Sequence, residues 1–151
     1  MRFDGTDDWL QWASRVTTIR TVFWVVRETP GISNSYRHLL GDSSGYPFSS
    51  GAAHQIWSTN YASTYVTGGQ TRLNGLVVNG TTTNRPTDPA IIGVSTSGPV
   101  SADRFSGEAG TTSYRWHGDL AELVVYDRVL SDSERQQVEQ YLGARHGITV
   151  P

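Results

Sequence analysis

Cysteine is absent from this chain and so is lysine, all 12 of its basic residues being arginine. Without thiols the fold rests on packing rather than disulfides, and cysteine usage assigns it to no redox compartment. With 14 acidic residues the formal net charge is -2, and the pI is near 6.0. The basic field that nucleic-acid binding draws on is therefore missing, and no nucleic-acid partner is expected. Long apolar runs are missing too. None approaches the roughly 20 residues of a spanning helix, and Met1-Arg2-Phe3-Asp4 lacks an apolar signal core, so no membrane span is predicted.

What is present suits a globular domain. A chain of 151 residues is expected to form one domain over 1–151, and at that size about 68–70% of the unfolded surface can be buried. Thr17 to Glu28 becomes apolar on both faces through Val22-Phe23-Trp24-Val25-Val26, which predicts a central strand. Tyr36 to Leu40 reads as the next strand. Asn74-Gly75 between apolar residues predicts a two-residue hairpin turn, because both positions of that turn need positive φ. Asn79-Gly80-Thr81, a glycosylation triplet, reads as a further turn. Ala90 to Val94 is expected as a short strand, and Ser95 to Ser113 as a long polar loop. Short strands between turn clusters indicate an all-β antiparallel sandwich.

The last third carries the most specific pattern. Leu120 to Tyr126 reads as a strand, and Ser131 with Glu134 forms a capping box for one short C-terminal helix that Gly147 can stop. The run Gly118-Asp119-Leu120-Ala121-Glu122-Leu123-Val124-Val125-Tyr126-Asp127-Arg128-Val129-Leu130-Ser131, followed by Glu134-Arg135 and Tyr141-Leu142, resembles the C-terminal signature of bacterial laminin-G-like domains of the concanavalin A-like lectin/glucanase superfamily. Phe3-Asp4-Gly5-Thr6-Asp7-Asp8-Trp9 is similar to a turn near the start of the same domains. The resemblance implies a jelly-roll sandwich. Because the chain starts inside the first motif and ends at Pro151, it is expected to be a module excised from a longer extracellular, cell-surface or virion-associated protein, with covalent neighbour domains.

Glycosidases of that superfamily place acids along one strand, and Asp119 and Glu122 are the pair to weigh. Strand alternation puts residues three apart on opposite faces, which separates them. The same alternation puts Glu122 on one face with Leu120, Val124 and Tyr126, and if that is the core face its carboxylate must be paired by an arginine or the backbone amides of the first turn, protonated, or metal-bound. Asp119 and Glu122 are thus expected to help clasp the two chain ends. No cysteine or G-x-S-x-G elbow offers a nucleophile, and His38, His54, His117 and His146 lack metal-ligand spacing. Gln55-Ile56-Trp57 departs from the superfamily's lyase motif by lacking its histidine.

Clustered carboxylates at Asp4, Asp7 and Asp8 could present hard oxygens to a structural calcium, as in many laminin-G-like domains, or simply form a turn. The remaining lead is aromatic: five Trp and seven Tyr against one Met. Phe23, Trp24 and Tyr126 are expected in the core, Trp9 and Trp12 in or beside it, and Trp116 leans toward packing. Trp57, Tyr61 and Tyr65 are interleaved with hydroxyls and an amide, and Tyr114 follows the polar loop. Such rings stack on the C–H faces of sugars while polar neighbours take the hydroxyls. Arg104, beside Asp103, could take an acidic or sulfated sugar. The expected function is a non-catalytic carbohydrate-binding module for a polysaccharide or other glycan. A protein-interaction or adhesion module, and a hydrolase or lyase of the same superfold, are the alternatives.

Overall fold

Val22-Phe23-Trp24-Val25-Val26 lies at the centre of the fold, hydrogen-bonded on both sides and buried on both faces. The computed structural model describes residues 1–107 and 113–151. In chain order the elements are β1 (Arg2–Asp4), β2 (Leu10–Glu28), β3 (His38–Asp42), β4 (Gly45–Ser49), α1 (Thr64–Thr67), β5 (Gln70–Leu73), β6 (Leu76–Val78), β7 (Ala90–Phe105), β8 (His117–Tyr126) and α2 (Asp132–His146). Every described strand pair is antiparallel, along a path β1-β8-β2-β7-β3-β4, with β5 pairing β7 and β6.

Two long strands make the sheet curl. The second half of β2, from Thr21, lies between β7 and β8, whereas its first half pairs only with the far end of β7, through repeated register shifts. Meanwhile β7 changes its other partner from β5 to β3. Irregularities of this kind bend a strand and increase its twist. The curl encloses Val22, Trp24, Val26, Phe48, Trp57 and Trp116 in one apolar cluster. On the other face Phe23, Val25 and Ile91 pack against Leu130, Leu142 and Ile148 of the C-terminal helical segment.

Several sequence features act as expected. Asn74 and Gly75 have φ of 51° and 85° and close the β5–β6 hairpin. Ser131 and Glu134 form both halves of the capping box, and Gly147 ends α2 at φ 67°. The one-turn helix α1 adds to the single helix expected.

The long polar loop from Ser95 is instead strand as far as Phe105. Thr96, Gly98, Val100 and Ala102 face inward while Ser97 and Pro99 are exposed, a period-two pattern hidden by small and polar inward residues. Asp119 and Glu122 also depart from the parity argument. Val26 pairs Leu120 and Val25 pairs Glu122, leaving Ala121 as an extra residue, and this bulge turns Glu122 onto the outer face with Asp119.

Candidate functional site

Four tyrosines and a histidine meet ring to ring in a closed circuit. Tyr36 contacts Tyr61 at 5.0 Å between centroids, Tyr61 contacts Tyr46 at 5.8 Å, Tyr46 stacks on His38 at 5.3 Å, His38 meets Tyr114 at 5.8 Å, and Tyr114 returns to Tyr36 at 5.7 Å. All but the His38–Tyr46 stack are edge to face, the arrangement aromatic quadrupoles favour. With Ser49 these rings line a cavity of ≈ 210 Å³.

The five rings come from four segments, Tyr36 and His38 sharing one, and local hydrogen bonds fix the approach of Tyr61 and Tyr114. The Ser58 Oγ accepts from the Asn60 and Tyr61 amides and folds the turn that presents Tyr61. His38 donates its amide to the Tyr114 carbonyl at 3.0 Å, holding Tyr114 with its φ of 64° beside β3. Tyr46 stands in β4 and Tyr36 just before β3.

Arg85 helps tie three stretches of chain together, one of them at Ser35, next to Tyr36 in sequence. Its Nη1 donates to Ser50 Oγ and the Gly51 carbonyl, and its Nη2 to the Ser35 carbonyl next to Tyr36. Its Nε donates to Glu28 at 2.6 Å, and Glu28 also meets His54 Nδ1 at 2.9 Å.

Electrostatically the cavity is quiet. Burial, reinforced by the charge of Arg115, lowers His38 to about 4, so its imidazole is neutral near pH 7. An open groove of ≈ 480 Å³ shares the Tyr46 and Tyr61 walls and continues over Ser44, Ser63, Tyr65 and Ser101. Its floor includes the carboxylate of Asp42. Burial alone would raise that group, but hydrogen bonds from Ser101, Ser44 and Arg15 outweigh it and hold it at about 2. Arg15 stands 2.7 Å away and balances the charge. On the other side Tyr36 borders a third hollow of ≈ 260 Å³ with Gln55, Thr59, Asn60 and Thr81.

The structure brings Tyr61, Tyr65 and Tyr114 together along this surface, at 47%, 48% and 42% exposure. Trp57 does not join them. It is 1% exposed, packs against Trp24 and Phe48, and donates its indole N–H to Thr71 Oγ1 at 2.7 Å. Its polar neighbours in sequence are the turn that carries Tyr61, which is why the interleaving misled. Arg104 lies on β7, paired to Asp103 and 5.2 Å from the Trp9 ring. Trp9 is exposed rather than core, at 43%, and Arg115 approaches its ring as well. Tyr36, His38 and Tyr46 are the site residues that sequence reasoning missed. The first two fell within a predicted strand, and no periodic signal links rings from distant segments.

At the first turn, Asp4 accepts the Thr6 amide at 2.7 Å and Asp8 the Asp4 amide at 3.0 Å, so these carboxylates shape the turn itself. Asp7 sits between them. Among the described residues no group of three or more His, Cys, Asp or Glu could hold a metal ion. The carboxylates on the outer face of β8 each face cations. Asp119 is bonded by Arg2 at 2.9 Å and Arg27 at 2.6 Å. Glu122 meets His146 at 2.8 Å and Arg145 at 3.2 Å. Asp119 thereby clasps the first strand to the last, while Glu122 fastens α2 rather than the first turn.

The fold and this surface together define an all-β, predominantly antiparallel chain with a tyrosine-walled cavity opening into polar grooves. Comparison with protein-family models, curated proteins and solved structures finds no match to this chain.

Proposed function

We propose that this chain is a non-catalytic carbohydrate-binding module of laminin-G-like, concanavalin A-like jelly-roll type, part of a larger extracellular, surface or virion protein. The observation that carries the reading is the closed circuit of Tyr36, Tyr46, Tyr61 and Tyr114 with His38, bordered by hydroxyl-bearing grooves. Exposed rings supply flat apolar faces for the C–H side of a sugar, and Ser, Thr and Asn side chains supply donors and acceptors for its hydroxyls. The module is non-catalytic in this reading because Asp119 and Glu122, the acids weighed for hydrolysis, are each engaged by cationic partners on the outer face.

The test is retention on a panel of immobilised polysaccharides, followed by calorimetry with and without a chelator. Binding to at least one glycan, lost in Tyr61→Ala, is the expected result. Failure to bind any polysaccharide would overturn the reading and favour the protein-adhesion alternative. A loss of binding on chelation would give the Asp4, Asp7 and Asp8 turn a calcium-dependent role.

A further inference from the structure

Resting on the carbohydrate reading, we infer that the site takes an uncharged linear glycan along its length, with several successive units bound, rather than one sugar or an acidic or amino-substituted chain. The argument starts from volume. At ≈ 210 Å³ the central cavity is smaller than the about 300–1,000 Å³ of pockets that hold drug-sized ligands, so it suits one small unit. It does not stand alone. The groove of ≈ 480 Å³ adjoins it across Tyr46 and Tyr61, and the hollow of ≈ 260 Å³ adjoins it across Tyr36. A ligand that fills all three crosses the rims of three tyrosine rings in succession, and a polymer of repeated units has that form.

Charge then selects among polymers. Among the described residues lining the three compartments, Asp42 is the one with a formal charge near pH 7, given the neutral His38. The Asp42 carboxylate is already taken up by Arg15, Ser44 and Ser101. A uronate or sulfate entering the groove would meet this carboxylate, and the neighbouring Arg15 guanidinium is already engaged by Asp42 and by the Ser44 and Ser101 hydroxyls. An ammonium-bearing sugar would find its would-be counter-ion spent. Serine, threonine and asparagine on the groove walls remain suited to neutral hydroxyls.

The experiment is calorimetric titration of the whole chain with length series of neutral oligosaccharides from the polysaccharide that it retains, in parallel with uronate and amino-sugar series, at low and high salt. Affinity is expected to rise at least about tenfold from the monosaccharide to the trimer or tetramer and then level off, with little salt dependence. Tyr65→Ala, whose ring lines the outer groove, should remove part of the gain in affinity with length. Equal affinity for one unit and for many would overturn the inference while leaving the carbohydrate reading intact. So would tighter, salt-sensitive binding of a charged series. Absence of any binding in every series, with the fold verified by circular dichroism, would overturn both.

Discussion

Glu28 and Arg85 meet at 2.6 Å with both side chains closed off from solvent, at the point where β2 ends. Removing one partner of a buried ion pair leaves the other charge uncompensated in a low dielectric, at a cost of about 3–5 kcal/mol. Arg85→Met is expected to lose that much in urea unfolding. Glu28→Gln combined with Arg85→Met should recover part of it, because the stranded charge is then gone. Additive losses in the double variant would contradict the assignment. Because Arg85 also holds the Ser35 and Gly51 carbonyls, glycan affinity should fall in the single variant even below its unfolding transition.

The two aromatic residues from the Trp57–Tyr61 stretch should separate cleanly. Trp57→Ala empties part of a packed core and strands the Thr71 hydroxyl, so a loss of about 3–5 kcal/mol in stability is expected. Tyr61→Ala, at a half-exposed ring, should change stability by less than about 1 kcal/mol while reducing glycan binding at least tenfold. Chemical denaturation and calorimetry on both variants decide it. Undiminished binding in Tyr61→Ala would remove the circuit from consideration.

His38 makes stability pH-dependent with a defined sign. Held at about 4 by burial and by Arg115, against an ordinary 6.5, it stays neutral in the folded chain while the unfolded chain takes up a proton. Its contribution is full above about pH 6.5 and declines as the pH falls toward 4, by about 3 kcal/mol in all. Asp42, held at about 2, keeps its own contribution until below about pH 4. Urea midpoints of wild type and His38→Phe between pH 7 and 4.5 are the measurement. The wild-type curve should fall more steeply, and parallel curves would mean that His38 does not titrate as described.

Gly118, the second residue of β8, has φ 156°, and a Cβ there would lie 2.0 Å from the Arg27 carbonyl oxygen on β2. The obstacle is backbone held in register, so it cannot swing aside. Gly118→Ala should cost more than about 2 kcal/mol in thermal or urea unfolding. Gly31→Ala provides the contrast, since nothing lies within 4 Å of its Cβ position and only its φ of 75° opposes the change.

Much of the scaffold was legible because local chemistry agreed with the fold. Asn74-Gly75, the Ser131–Glu134 box, Gly147 and the doubly apolar run at Trp24 each imply their structure through a short-range mechanism. Two features escaped for identifiable reasons. The bulge at Ala121 depends on how β8 meets β2, so alternation counted along one strand put Glu122 on the wrong face. Between Ser95 and Ala102 the inward positions of β7 are Thr96, Gly98 and Ala102 with Val100 as the one larger apolar residue, so its period is faint in the sequence. Of the candidate site, Tyr61, Tyr65 and Tyr114 were visible as polar-flanked rings. Tyr36, His38 and Tyr46 were not, since what joins them to Tyr61 and Tyr114 is a set of ring contacts with segments far away in sequence.

The pairing of β2 sets the order in which this chain can fold. Its ladder partners are β7 and β8, both in the later part of the sequence, so the most apolar strand has nothing to pair with while it leaves the ribosome. Contacts of such separation require large loops to close before any apolar burial is gained, which places folding in the slow range of milliseconds to seconds. Until β7 arrives, Val22 to Val26 is an unpaired sticky edge, and holding it soluble is a task for chaperones or for rapid completion of synthesis.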